Sequence, residues 1–123
     1  MSAAVVRWQI VTPHAESSAN FYKKLFGWTV TQDNALGYRE LKSGSDRGID
    51  GGVWPAPPDA PSFVQLFVEV SDVDATIATA EKLGATVIVL KAVLPDGDVM
   101  AVLRDPTGIT FGLCTTAQRS PSR

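Results

Sequence analysis

The sequence predicts an α+β fold: two paired βαβββ modules forming a cup-shaped mixed sheet with the helices outside. Three observations carry this expectation. A strand-like run, a helix-start signal and an amphipathic helix follow one another at the N-terminus, and the same series restarts after residue 62. A proline-dense stretch lies between the two passages. Short segments of the two halves also align with each other. Leu25-Phe26-Gly27-Trp28-Thr29-Val30 matches Lys82-Leu83-Gly84-Ala85-Thr86-Val87, and Gly48-Ile49-Asp50-Gly51-Gly52-Val53 matches Gly108-Ile109-Thr110-Phe111-Gly112-Leu113. Self-similarity of this kind is the mark of an internal repeat. A lone module would leave one sheet face bare, whereas two modules side by side can enclose a concave surface.

The elements follow in order. Val5 to Val11 is rich in β-branched residues and partly alternating, which predicts a strand. Thr12-Pro13 is a helix-start signal, with Thr12 as N-cap and proline at the first helical position. The helix should run to about Phe26, bury Ala15, Ala19, Tyr22 and Phe26, and end at Gly27. Trp28–Thr31, Tyr38–Lys42 and Ile49–Trp54 are the next strands, with a turn at Gln32-Asp33-Asn34 and a polar loop from Ser43 to Gly48. Pro55 to Pro61 holds four prolines in seven residues. Prolines cannot donate to a sheet ladder and favour a stiff, extended connection.

Phe63 to Val70 opens the second half as a strand. Ser71-Asp72-Val73-Asp74 resembles a capping box with Ser71 as N-cap. Val73, Ile77, Ala80 and Leu83 form the helical stripe, and Gly84 closes it. Strands at Thr86–Leu90 and Val99–Leu103 flank an Asp96-Gly97 turn. Arg104-Asp105-Pro106-Thr107-Gly108 then turns the chain into a last apolar strand through Leu113. The expected organisation is a single domain over residues 1–123, with module one at 5–55, the linker at 55–61, module two at 62–115 and a polar tail at 116–123.

Composition narrows the function classes. The chain has 123 residues, 45% of them hydrophobic and 20% charged, which suits a globular domain with a filled interior. A formal charge of −2 and the lack of a basic stripe argue against a nucleic-acid partner. No apolar run is long enough to span a membrane. The N-terminus shows no leader-like pattern, so a cytoplasmic location is the default expectation. Cys114 is the single cysteine, which excludes an internal disulfide and a multi-cysteine metal site.

Phe21-Tyr22-Lys23-Lys24-Leu25-Phe26-Gly27-Trp28 resembles a signature of the vicinal oxygen chelate superfamily, which holds glyoxalases, bleomycin-resistance proteins and extradiol dioxygenases. Val70-Ser71-Asp72-Val73-Asp74 with Leu83-Gly84-Ala85, and Asp105-Pro106-Thr107-Gly108 with Phe111-Gly112-Leu113, resemble its second-half signatures. The likeness covers essentially residues 5 to 115. It implies the paired modules, a cup and, for single-domain members, a homodimer.

Catalytic members of that superfamily hold a divalent metal on the first and last strands of each module. Carried over, those positions fall near Arg7, Gly52, Gln65 and Gly112. Arginine offers only donors and glycine has no side chain. Gln65 supplies one oxygen at most, and a shift of register toward Glu69 or Asp50 still completes no set. The expectation is therefore no bound metal and no cofactor. His14, the only histidine, lies at the start of the first helix and is expected to be exposed, outside the cup.

The same positions set which strand faces look inward. On that parity the ligand-binding candidates are Arg7, Gln9, Asp50, Trp54, Gln65, Phe67, Glu69 and Cys114, with Thr110 and Gly112 on the same side. Trp8, Ile10, Leu66, Val68, Phe111 and Leu113 should pack under the helices. A register error of one residue would exchange the two sets. Arg7 with Glu69 or Asp50 is either an anion anchor or a structural ion pair filling the space of a lost metal. Trp54 and Phe67 suit stacking on a flat ligand or packing in the interior equally well. Nothing beside Cys114 activates its thiol, and Met100 reads as a gap-filler.

No residue is assigned a catalytic role, and whether the chain is an enzyme stays open. One reading is a bleomycin-resistance-like protein that binds a small molecule in a metal-free cup. The alternative is a lyase, isomerase or dioxygenase of the same superfamily, using atypical metal ligands or Arg7 and Glu69 as an acid–base pair. A regulatory module with a vestigial cavity is a third.

Overall fold

The computed structural model describes residues 3–32, 35–93 and 97–115. The chain is α+β, and its elements run β1 (Ala4–Thr12), α1 (Ala15–Phe26), β2 (Thr29–Thr31), β3 (Arg39–Lys42), β4 (Gly51–Pro55), β5 (Phe63–Glu69), α2 (Val73–Lys82), β6 (Thr86–Val93), β7 (Val99–Arg104) and β8 (Thr110–Thr115). The expected turns at Asp33-Asn34 and at Asp96, and the tail at 116–123, lie outside the described residues. Two compact units divide the chain: Val6–Leu66, and Met1–Val5 with Phe67–Arg123. Among the described residues, no helix is long and apolar enough to cross a membrane.

In the first unit the strands lie in the order β2-β3-β4-β1. β1 runs parallel to β4, and β2, β3 and β4 are joined antiparallel. The helix packs on one face: Ala15 and Ala19 meet Leu41 and Val53, with Trp8, Ile10, Trp28 and Val30 around them. Two alanines on the buried stripe let the helix approach the sheet closely. Tyr22 is half-buried but Phe26 is 56% exposed, so the last turn of the expected stripe does not bury. Tyr22 and Phe26 instead continue an aromatic series, with Phe26–Trp28 at 5.0 Å and Trp8–Trp28 at 5.6 Å between ring centres.

The helix start departs from expectation. Helical structure begins at Ala15, with His14 at the capping position and exposed. Thr12 remains in β1, and its hydroxyl accepts the His14 N–H at 3.1 Å and pairs with Ser62 Oγ at 2.7 Å. Thr12 thus tightens the turn into the helix rather than capping it. The end agrees: Gly27 adopts φ 74° and returns its N–H to Lys23.

The proline-rich segment also differs. It bends rather than extends, because Ala60 N–H reaches Pro57 C=O at 3.0 Å in a turn whose second residue is Pro58. Pro55 belongs to β4, and Ala56 N–H bonds Thr12 C=O at 2.9 Å, so the β1–β4 pairing reaches into this segment.

The second unit repeats the connectivity, in the order β5-β8-β7-β6; Phe67–Glu69 of β5 run parallel to β8, while Phe63–Leu66 belong to the first unit. Val73, Ala101, Leu103 and Leu113 form its core, with Val68, Ile77, Val87 and Phe111 against them. The helix cap is Asp72, not Ser71: its Oδ1 accepts Ala75 N–H at 3.0 Å. The residue three positions on is then Ala75, which has no side chain to return the bond, so a simple cap replaces the capping box. β6 extends to Val93 and carries register shifts near Val89. Leu90 on it is 78% exposed. Irregular pairing on an outer strand discourages further strand addition.

The turn between β7 and β8 is organised by one carboxylate. Asp105 Oδ1 accepts bonds from Thr107 N, Thr107 Oγ1 and Ile109 N at 2.8, 2.8 and 3.1 Å. Gly108 N–H closes on Asp105 C=O at 3.0 Å, and Gly108 takes φ 100°. This is a three-residue hairpin loop in which only glycine sits easily at the last place. The Thr107 hydroxyl, followed by the Ile109 amide, holds the Asp105 carboxyl below its ordinary value of 3.8. A depressed carboxyl contributes stability that is complete above its unfolded value and is lost as pH falls through the folded one. Asp105→Ala should therefore lower the melting temperature at neutral pH. The gap to wild type should narrow in strong acid, as scanning calorimetry at several pH values would show.

Candidate functional site

The helix-free face of the first sheet carries the polar candidates. Trp8 and Ile10 point into the α1 core, so Arg7 and Gln9 point to the other side. The ladder places Gln9 opposite Gly52 and Gly52 opposite Glu40, one rung with a common face. Trp54 lies two residues beyond Gly52 on that face and stands opposite Val11.

Adjacent glycines at 51 and 52 serve opposite faces. A Cβ on Gly51 would run into the Trp8 indole, whose Nε1 donates to Ile49 C=O at 3.2 Å. A Cβ on Gly52 would run into the ring and hydroxyl of Tyr38. Tyr38 therefore lies flat over β4, with its ring 5.0 Å from Trp54. Burial raises the Tyr38 hydroxyl above its ordinary 10.0; the positive charge of Arg7 opposes this and Glu40 adds to it. The phenol is thus a neutral donor at physiological pH.

Gln9 is 2% and Gln65 6% exposed. Gln65 Oε1 is buried and has no hydrogen-bond partner among the described residues. Asp50 does not join this group: it is exposed, and its Oδ1 accepts Ser43 N–H at 3.1 Å, closing the loop between β3 and β4.

The second unit shows a parallel arrangement. Phe67 pairs with Gly112, and a Cβ on Gly112 would strike the Phe67 ring. Phe67 and Cys114 are each 1% exposed, while Glu69, paired with Cys114, is half-buried. Val68, Phe111 and Leu113 pack toward α2 as expected, whereas Leu66 is 50% exposed and does not.

Gly52 and Gly112, at positions that the family resemblance gives to metal-holding residues, offer no side-chain ligand, and aromatic rings fill the space a side chain would need. No group of three or more His, Cys, Asp or Glu suited to a metal occurs among the described residues.

The glyoxalase-like domain family matches residues 5–114. The chain belongs to that family. As a glyoxalase-like domain it is a member of the vicinal oxygen chelate superfamily. It is 33% identical over 112 residues to the "Putative glyoxylase CFP32" of Mycobacterium bovis and of Mycobacterium tuberculosis, covering 89% of this chain and 42% of theirs. The chain thus spans less than half the length of these relatives. Among solved structures it resembles the hypothetical protein BH1468 from Bacillus halodurans C-125, with a TM-score of 0.70, 13% identity and coverage of 99% and 100% of the two chains. It also resembles methylmalonyl-CoA epimerase from Mycobacterium tuberculosis, with a TM-score of 0.61, 16% identity and coverage of 90% and 86%. At these identities the likeness to both structures is one of fold.

Tyr38 is the site residue the sequence reading of this glyoxalase-like domain leaves out. Its signal is an aromatic facing a glycine on the neighbouring strand, and that pairing becomes visible only once the register Glu40↔Gly52 is known. The ring–glycine contact is testable in the second unit. Gly112→Ala should destabilise the domain by about 1–3 kcal/mol through overpacking, measured by urea unfolding. In a Phe67→Leu background the penalty should shrink; a fully additive double variant would show that the ring is not what the new methyl meets.

Proposed function

We propose that this glyoxalase-like domain binds a small organic molecule without a resident divalent metal, in the bleomycin-resistance manner, using the helix-free face of the Val6–Leu66 unit, which includes Gln65 at the start of β5. The observation that carries this is Gln65. Its carbonyl oxygen is buried without a partner among the described residues, and leaving such a group unpaired costs about 1–3 kcal/mol. A ligand N–H or O–H removes that cost. Binding sites for small molecules combine apolar and aromatic walls with a few fixed polar groups. Trp54, Tyr38, Gln9 and Arg7 supply that combination. A metal-dependent lyase, isomerase or dioxygenase activity lacks support in the side chains around Gly52 and Gly112.

A broad small-molecule panel read by melting temperature tests this. At least one organic compound should raise the melting temperature, whereas nickel, zinc, manganese and ferrous ions should not. Gln65→Leu should keep or raise the basal melting temperature and remove the ligand response. A stoichiometric metal shift, or no response to any organic compound, would overturn the reading.

The proposal extends to a homodimer. Phe21, Leu25 and Phe26 on α1 are 57%, 58% and 56% exposed. Grouped apolar exposure of this kind marks association surfaces. Sedimentation should show a dimer that Leu25→Glu converts to monomer; an unchanged sedimentation coefficient would place the dimer contact elsewhere or exclude it.

A further inference from the structure

The start of β5 reverses the usual order of burial. Gln65 is shut in, while Val64 and Leu66 on either side of it are exposed. An exposed aliphatic residue is ordinary, whereas a buried amide calls for a partner. Methionine or leucine at this place would fill the same space without a polar group, so packing alone does not account for the glutamine. Its Oε1 is buried with no hydrogen-bond partner among the described residues. Gln9 is buried as well, on β1, the strand hydrogen-bonded to β5 within the Val6–Leu66 unit. The Gln9 amide carries two N–H donors, yet it leaves the Gln65 oxygen unpartnered.

We infer that Gln65 is a specificity-determining residue for an uncharged ligand with a cis-amide edge, a lactam or an imide. The ligand N–H donates to Gln65 Oε1, and its adjacent carbonyl accepts from Gln65 Nε2. A primary amide carries an acceptor and donors side by side, and a cis-amide edge carries the complementary pair in the same plane. The polarity follows from the orphaned atom. An acceptor closed off from water selects a donor, and a ligand that brings only oxygens leaves it unpaired. An ammonium brings a donor but also a charge, which is costly to bury. Away from water the hydrogen bond meets no competition from solvent and is stronger for it. A site of this kind rejects an analogue that lacks the donor, because its own polar group then stays unsatisfied. This inference rests on the binding reading above and narrows it to a ligand class.

The test uses the full chain and three probes, followed by equilibrium dialysis: the lactam isocarbostyril, its lactone isostere isocoumarin, which has a ring oxygen in place of the N–H, and naphthylmethylammonium. Wild type should bind the lactam at least about tenfold more tightly than the lactone, the size of one buried hydrogen bond left unmade. The ammonium should also bind more weakly than the lactam. Gln65→Met, which keeps the length of the side chain, should leave the melting temperature unchanged or raised and should bind lactam and lactone alike. Gln9→Met should keep the preference for the lactam. Equal affinity of wild type for lactam and lactone, a comparison that needs no variant, would overturn the inference. So would tighter binding of the ammonium, or a preference that survives in Gln65→Met. If other compounds of the panel bind but the lactam has no advantage, the amide inference falls while the binding reading stands. If nothing in the panel binds, both fall.

Discussion

The constraint on which the site depends is the contact between an aromatic ring and the backbone of the last strand in each unit. Tyr38 lies on Gly52 and Phe67 on Gly112, so close that even a methyl group does not fit. A sheet tolerates glycine poorly, because it adds chain entropy and removes a side chain from the face. A ring from the neighbouring strand recovers the lost contact area and covers the backbone. The same contact decides the chemistry. A strand that must be bare to accept a ring cannot also present a carboxylate from these two positions.

Most of the architecture was legible from punctuation. Gly27, Gly84 and the Asp105–Gly108 turn mark ends that no other residue types serve as well, and Ala15 and Ala19 mark the buried stripe of α1. The family followed from the same residues. The legible part ended where local signals competed. Thr12 and Ser71 both look like caps, yet Thr12 remains in β1 and Asp72 takes the place of Ser71 one residue on. The prolines of the connecting segment favour extension one at a time, but in the series Pro57-Pro58-Asp59-Ala60 they also favour a turn, and the turn prevails.

The site was legible in its parity and not in its partners. Alternation correctly sends Trp8 and Ile10 to the helix and Gln9 to the other face, because the hydrophobic pattern fixes the strand's two sides. It does not reveal that Asp50 spends its carboxylate on the Ser43 amide. Nor does it reveal Tyr38, whose importance comes from a cross-strand register some fourteen residues away in sequence. Pairings of that kind depend on how hairpins are joined, and no single stretch of sequence encodes them.

Cys114 has a consequence of a different sort. It is the one thiol in the chain and lies 1% exposed on β8, within the β5–β8–β7 part of its unit. A thiol-reactive dye can reach it only when that part of the sheet opens. The rate of its labelling therefore records how often the second unit breathes, with no engineered probe.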